Sequence, residues 1–299
     1  MNQNHEQISP NCNVFVRGSK SRLGREIVKA LVQSKSMEGA IERDEYGGSF
    51  ATLESIHPNN QNILVLSSGR STPKSNAIEC AREFADFMVM VKGFKANRLL
   101  TPGDILVFIS SGGTVYGSGS GIKSESSSPN PLNAYGHLKL KQEDTLLSFA
   151  ADLDVKCLIL RLANAYSGTV VSPKGLIDSL LAFRQGSKPM SIAVSGKSRK
   201  QYGVFSDYAN HSLLAINNFI TSKDLVRVQN LFSQHSYSIF DITLQICEKR
   251  KLRLDEVCHF EYKEEIAVED TVELSSKYLI DSSRYHWKSL EEVLETFGR

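Results

Sequence analysis

Nothing in this sequence is extreme, and what it lacks closes off several classes at once. Its 35 basic and 33 acidic residues leave a net charge of only +2. That is no field for gathering nucleic acid or holding an anionic membrane, so neither nucleic-acid binding nor membrane insertion is expected. The five cysteines (Cys12, Cys80, Cys157, Cys247 and Cys258) include no Cys-x-x-Cys pair and no His/Cys cluster. They read as reduced packing thiols of a cytoplasmic protein, with no metal site. No apolar run approaches the roughly 20 residues that span a bilayer. Residues 1–12 form a polar tail without the apolar core of a signal peptide. Internal repeats are absent as well.

What is present is an alternation. With 41% apolar and 23% charged residues the chain is not disordered, and 299 residues suffice for one large α/β core or for two lobes. Asn13-Val-Phe-Val-Arg17 predicts a buried strand running into a glycine turn. An amphipathic helix follows, with Leu23, Ile27, Ala30 and Leu31 on one face. Further buried strands are predicted at 62–67, 104–110 and 155–161, and helices over about 75–98 and 135–151. Apolar strands alternating with helices mean an α/β fold with a doubly wound parallel sheet. Past Arg161 the loops lengthen and shorter strands appear at 190–194, 225–230 and 258–262. This predicts a dinucleotide-type domain over 13–165 with parts of 200–230, and a smaller α/β lobe mainly over 166–299, with a cleft between them. Residues 118–133, rich in Ser, Gly and Pro, predict a mobile loop beside the site.

Gly18-Ser-Lys-Ser-Arg-Leu-Gly24 follows the first strand and opens the first helix. A strand, a glycine turn and a helix start make a phosphate cradle, because free N–H groups and the helix dipole point at the anion. Gly18 and Gly24 hold the outer positions of a G-x-x-G-x-x-G turn, but Ser21 stands in the middle, where its hydroxyl has a phosphate oxygen to donate to. Lys20, Ser21, Arg22 and Leu23 complete the expected cofactor contacts, joined by Ser67, Gly69 and Ser110 from later strand ends. Arg17, Lys20 and Arg22 suit the 2′-phosphate of NADP; an acid for the ribose of NAD would come from Glu38, Glu42 or Asp44. NAD and NADP both stay open. Residues 35–61 are too few for a full βαβ crossover of about 30 residues, so the adenine half is expected to be shortened.

Tyr135-Gly-His-Leu-Lys139 places a phenol and an ammonium on one face of a helix. The ammonium is expected to lower the phenol's pKa from about 10, bringing proton exchange toward neutrality. The strand end Ile109-Ser-Ser-Gly-Gly-Thr-Val-Tyr-Gly117 supplies hydroxyls that can hold a substrate oxygen. This is the proton-transfer half of a carbonyl/alcohol redox site. The spacing alone also occurs on ordinary surface helices; its company and order along the chain give it weight. The phenylalanines and methionines of 84–94 read as core, His137 as surface, and His5, His57, His235 and His259 as structural or solvated.

Together these strings resemble the extended short-chain dehydrogenase/reductase superfamily, in particular its nucleotide-sugar epimerase/dehydratase family, over nearly the whole chain. Ser-Ser-Gly-Gly-Thr-Val-Tyr-Gly117 is similar to the family's Ser/Thr-x-x-Val-Tyr-Gly strand end, and Pro131-Leu-Asn-Ala-Tyr135-Gly-His-Leu-Lys139 to its Pro-x-x-x-Tyr-x-x-x-Lys segment. Leu160-Arg-Leu-Ala-Asn164-Ala-Tyr is similar to a strand end that meets the substrate diphosphate. Ser198-Arg-Lys-Gln-Tyr202-Gly-Val-Phe-Ser-Asp207 is similar to a substrate-lobe segment. The resemblance implies a Rossmann-like fold, an NAD or NADP cofactor, a nucleotide-diphospho-sugar substrate and a homodimer built on the long helices. It makes Tyr135 the acid/base and Lys139 its partner at the nicotinamide ribose. The family's Ser/Thr position falls on Gly112, so the helper hydroxyl passes to Thr114, with Ser111 second. Asn164, Arg199, Lys200, Tyr202 and Thr114 would meet the substrate.

Three reactions share this apparatus. A 4,6-dehydratase also needs an acid pair where this chain has Gly113 and Thr114, which disfavours it. The catalytic strings lean toward a 4-epimerase. The basic turn and short adenine region lean toward an NADPH-dependent 4-ketoreductase, and a non-catalytic nucleotide-sugar binder is the third alternative.

Overall fold

A computed structural model describes residues 12–34, 60–96, 99–117, 121–169, 173, 175–194, 198–262, 272–278 and 285–296. The chain runs through β1 (Cys12–Arg17), α1 (Arg22–Gln33), β2 (Gln61–Leu66), α2 (Ala77–Ala96), β3 (Ile105–Ser111), α3 (Gly112–Val115), β4 (Ile122–Lys123) and α4 (Ala134–Leu153). It continues through β5 (Lys156–Leu162), β6 (Asn164–Tyr166), α5 (Leu176–Leu181), β7 (Met190–Val194), β8 (Arg199–Val204) and α6 (Phe205–Ile220). Then follow β9 (Val226–Leu231), β10 (Ser236–Ser238), α7 (Ile239–Arg250), α8 (Leu254–Val257), β11 (Cys258–Tyr262), β12 (Glu273–Leu274) and α9 (Leu290–Glu295).

The main sheet has the order β1-β2-β3-β5-β9, and every neighbouring pair is parallel. Side chains alternate across it with period two. Val14, Val16, Ile63, Val65, Ile105, Val107, Leu158 and Leu160 pack with α1 and α6. Phe15, Leu64, Leu66, Leu106, Phe108, Cys157 and Ile159 pack with α2 and α4. Both faces are covered, which is why the strands read as unbroken apolar runs. The doubly wound parallel sheet expected from the sequence is the observed one. Phe87 and Phe94 are buried in the second of these layers. The strand at 226–231 lies in this sheet beside β5, not with the short strands that flank it in sequence. Among the described residues β1 is an edge strand; the expected shortening of the adenine half falls at 35–59, outside the described residues.

A second cluster of buried residues gathers Tyr166, Ile177, Leu180, Ile192, Ile242, Ile246 and Leu294 from α5, α7, α9 and the short sheets. Those sheets are β10-β8-β6, β11-β7 and β12-β4. The segment that leads into α9 is fastened to α6. Trp287 meets Tyr208 of α6 edge-on at 4.9 Å and stacks on His211 at 3.9 Å, while Asp207 accepts the Lys288 N–H at 2.8 Å. Burial holds the His211 imidazole below its ordinary pKa, as a neutral ring packed on an indole requires.

The loop at 121–133, expected to be mobile, is tied down within the described residues. β4 pairs with β12, and Glu125 accepts the N–H groups of Asn230 at 2.9 Å and Lys277 at 3.1 Å as well as the Ser276 hydroxyl. No helix among the described residues is long and apolar enough to cross a membrane.

Because Trp287 is 7% exposed and packs on Tyr208 and His211 of α6, Trp287→Ala should destabilise the fold by about 3–5 kcal/mol. Urea unfolding followed by circular dichroism checks this; a loss below about 1 kcal/mol would mean that the contact is not a clamp.

Candidate active site

The site begins where β1 ends. Gly18 has φ +87°, and a Cβ there would lie 2.6 Å from the Ser67 carbonyl oxygen at the end of β2. A Cβ on Gly24 would lie 2.0 Å from the Gly18 carbonyl oxygen. Backbone occupies both spaces, so only glycine fits. Ser21 is the N-cap of α1: its Oγ accepts the Gly24 N–H at 2.9 Å, and its own N–H donates to Gly18 O at 2.8 Å. The serine that interrupts the glycine pattern thus builds the helix start, a role its residue type favours. Ser19 is buried beside it, and its hydroxyl has no partner among the described residues. Leu23 belongs to the core under α1.

The basic residues of the turn divide. Lys20 is exposed. Arg22, expected at the cofactor, donates instead to Asp178 at 2.9 Å. Asp178 is 1% exposed and accepts the Ser167 N–H through its other oxygen. A carboxylate so deeply buried needs a cation, and Arg22 is the one it has.

Tyr135 opens α4, whose N-cap Asn133 accepts the Gly136 N–H at 2.8 Å. A Cβ on Gly136 would lie 2.4 Å from the Thr114 carbonyl oxygen, so α4 starts in direct backbone contact with the segment after β3. Lys139 is 5% exposed, its ammonium 4.9 Å above the Phe108 ring and 5.7 Å from the Tyr135 ring. One turn further, Glu143 is fully paired. Arg161 of β5 donates from Nη2 at 2.6 Å and from Nε at 3.2 Å to each oxygen, and the Ser110 hydroxyl of β3 donates to the same carboxylate. Ser110, expected to touch a cofactor, spends its hydroxyl here. Arg161 also lies 4.9 Å over the Tyr116 ring, whose hydroxyl donates to Asn230 Oδ1 at 3.0 Å.

A second carboxylate stands across from Lys139. Glu83 of α2 is 7% exposed, and its Oε2 accepts the N–H groups of Arg70 at 2.8 Å and Ser71 at 2.5 Å. Burial works against its ionisation, but those two bonds and the Lys139 charge outweigh it and hold its pKa below the ordinary value. The electrostatics correct the sequence-based expectation for Tyr135. Burial first, then Glu83 and Cys80, push the Tyr135 hydroxyl's pKa up and not down. Lys139 is itself pulled below the ordinary lysine value by burial, with Glu83 and Glu143 opposing that. The carboxylates on either side of the ammonium oppose its pull on the phenol. The resting phenol is protonated.

At the helper position, Gly112 faces Leu274 of β12; a Cβ on Gly112 would lie 2.6 Å from Leu274 Cδ1. Thr114 is partly buried, and its hydroxyl has no partner among the described residues. Ser111 caps α3 by position and makes no side-chain capping bond. Asn164 donates to Gln201 O at 3.2 Å, next to Tyr202 in the β6–β8 register. Arg199 is exposed and donates to Asp241 at 2.9 Å and to Ser236 O at 2.6 Å. Strand alternation puts Lys200 and Tyr202 on one face of β8, where Tyr202 packs on the second cluster. Gln201, on the other face, clamps the backbone of Leu274, donating to its carbonyl at 3.1 Å and accepting its N–H at 2.8 Å. Sequence reasoning passed over Gln201 and Glu83. The signal for Glu83 was present: it falls on the buried stripe Cys80, Glu83, Phe87, Val91 and Phe94 of a helix that otherwise reads as core.

A model of the NAD dependent epimerase/dehydratase family matches residues 14–228. The dTDP-4-dehydro-6-deoxyglucose reductase of Escherichia coli is 35% identical over 104 residues, 34% of this chain and 33% of that protein. The chain thus aligns with about a third of the length of the curated relatives it matches. Among solved structures, the UDP-glucose 4-epimerase of Thermotoga maritima with UDP-glucose superimposes with a TM-score of 0.72 at 17% identity, covering 96% of this chain and 98% of that one. RMD from Pseudomonas aeruginosa with NADPH gives 0.72 at 16% identity, over 95% and 97% of the two chains. At these identities the structures share the fold.

The buried pair yields a test. Arg161→Met strands the Glu143 carboxylate and should lower stability by about 3–5 kcal/mol, whereas Arg161→Met with Glu143→Leu should recover most of the loss. Urea unfolding of both variants checks this; equal losses would show that shape and not charge is at stake.

Proposed function

The chain belongs to the NAD dependent epimerase/dehydratase family, and we propose that it is a nucleotide-sugar 4-epimerase acting by transient hydride transfer, with Tyr135 as acid/base. One juxtaposition carries the reading. The Gly18 turn abuts Ser67, Gly69 lies against Lys139, and the Tyr135 helix start abuts Thr114, so cradle, ammonium, phenol and unpartnered hydroxyl line one edge of the parallel sheet. The residues fit a nicotinamide dinucleotide, because the glycine turn leads from β1 straight into the start of α1 and Ser19 in that turn offers a buried hydroxyl with no partner among the described residues. Gly18, Ser19, Ser21, Gly24, Ser67, Gly69 and Lys139 would hold such a cofactor, which would supply reversible hydride chemistry at the sugar carbon.

The chain's own residues handle the proton. Once its resting proton has passed to solvent, the Tyr135 phenolate takes the proton of the sugar hydroxyl in the oxidative half; in the return half it gives that proton back. Thr114 donates a hydrogen bond to the same oxygen, with Ser111 next in reach along the chain. Lys139 steadies the phenolate during the interval in which the proton is away. Asn164 and Lys200 hold the diphosphate, and Arg199 joins them only by exchanging Asp241. The absence of an acid at Gly113 and Thr114 speaks against water elimination.

A second reading, an NADPH-dependent 4-ketoreductase, is favoured by one observation. The raised pKa leaves Tyr135 protonated at rest, the form that a ketone reduction consumes first and an epimerase must discharge before starting.

Mass spectrometry and absorbance of the nucleotide released from denatured protein separate the two. Stoichiometric NAD(H) supports the epimerase. Its absence, with NADPH bound at micromolar order in titration, supports the reductase; failure to bind either overturns both. Tyr135→Phe should lower turnover at least about 10²-fold while leaving dinucleotide affinity in place. Lys139→Met should weaken affinity as well as rate, and unchanged affinity would remove Lys139 from the cofactor.

A further inference from the structure

The hydride-transfer reading leaves Glu83 without a part, yet its carboxylate stands inside the site. One oxygen, Oε2, is used twice by the loop after β2, through the N–H groups of Arg70 and Ser71. The other, Oε1, is buried and has no partner among the described residues. A Cβ on Gly69 would lie 3.0 Å from that Oε1 and 3.8 Å from Lys139 Nζ. The carboxylate and the ammonium therefore flank the one position in the loop without a side chain.

The other charges nearby cancel in pairs. Glu143 of α4 is matched by Arg161 of β5, and the Arg70 side chain of the loop by Asp86 of α2. Cys80, also on α2, adds to the rise in the Tyr135 pKa. Among the described residues, Lys139 of α4 and Glu83 of α2 then act on the phenol with opposite sign.

We propose that Glu83 is a positioning residue of the proton-transfer site: one carboxylate oxygen fixes the loop at 69–71, and the other opposes the pull of the Lys139 ammonium on the Tyr135 hydroxyl. The inference deepens the proposed function and rests on Tyr135 as its acid/base. Glu83 adds to burial in holding the proton on the resting phenol, and so bears on the direction in which the first proton moves. It touches no reacting atom. A carboxylate here makes the site a proton donor at rest; a neutral residue would make it a readier acceptor.

Glu83→Gln tests this because the amide oxygen can still accept both N–H groups while the charge is gone. The titration of Tyr135 alone is read as the tyrosinate absorbance difference between the wild type and Tyr135→Phe. The same difference is then taken in the Glu83→Gln background. The midpoint should fall by about one pH unit or more, the usual effect of removing one like charge at this range. The Tyr135 limb of the pH–turnover profile should move the same way. Glu83→Ala, which also frees the loop, should reproduce the shift and in addition weaken dinucleotide binding. Coincident difference curves, including two curves that both stay flat, would overturn the proposal and leave Glu83 as a loop anchor. The titration needs no substrate, so failure of the hydride-transfer reading appears separately, as a wild type that binds no dinucleotide.

Discussion

The arrangement of the site depends on the buried pair of Glu143 and Arg161. The carboxylate is 1% exposed and the guanidinium 5%, and neither survives there without the other. Arg161 is fixed in β5 and Ser110 in β3, so their bonds to Glu143 fix the rotation of α4 about its axis. Residues 135, 139 and 143 follow one another at four-residue steps on one face. Once Glu143 is locked onto the strands, Lys139 must point under the sheet edge beside Phe108, and Tyr135 must emerge at its end. The same guanidinium covers Tyr116, which holds Asn230, and Asn230 donates to Ser275 O and Lys123 O. One ion pair therefore sets the rotation of α4 and also reaches the β4–β12 strap that lies against Gly112.

Burying a lysine is worthwhile only if its charge is met. Here it is met twice, by Glu143 behind and by Glu83 in front, and Tyr135 pays with a higher affinity for its proton. The usual expectation for a tyrosine beside a lysine assumes that the ammonium is the only charge in reach. With two carboxylates present, sign and magnitude depend on which one faces the phenol, and that is Glu83, whose field adds to the effect of burial. Anything cationic drawn to the sheet edge would shift the balance back toward the phenolate.

The legible parts of this molecule were those whose reasons are local. Strands buried on both faces show as unbroken apolar runs, so the main sheet could be read strand by strand. Gly18 and Gly24 could be read because their spacing belongs to one turn, and Tyr135 and Lys139 because four residues make one helical turn. What failed to show was the partner supplied from elsewhere. Arg22 reads as a phosphate ligand until Asp178 arrives from α5; Ser110 reads as a cofactor contact until Glu143 takes its hydroxyl. Lys139 reads as an activator until Glu83 faces it from α2. Ser21 looked like a defect in a glycine pattern, and only its bond to Gly24 reveals a cap.

Gly112 shows how a departure from a motif acquires a physical cause. In its place a serine or threonine would bring a hydroxyl to the substrate, but the strap formed by β12 lies across this position. Gln201 grips both the N–H and the carbonyl of Leu274, so the strap cannot withdraw without breaking a buried, two-bond clamp. The Leu274 methyl fills the volume into which a Cβ would grow, and the Arg161 and Leu162 carbonyls bound the other sides at 3.5 and 3.4 Å. Glycine, strap and clamp thus form one unit. In the proposed reaction the duty of holding the substrate oxygen passes along the turn to Thr114, whose buried hydroxyl has no partner among the described residues. Its carbonyl is already pressed against the start of the Tyr135 helix. The hydroxyl and the phenol are therefore set by the same backbone contact, which keeps the two in register for the proposed proton transfer.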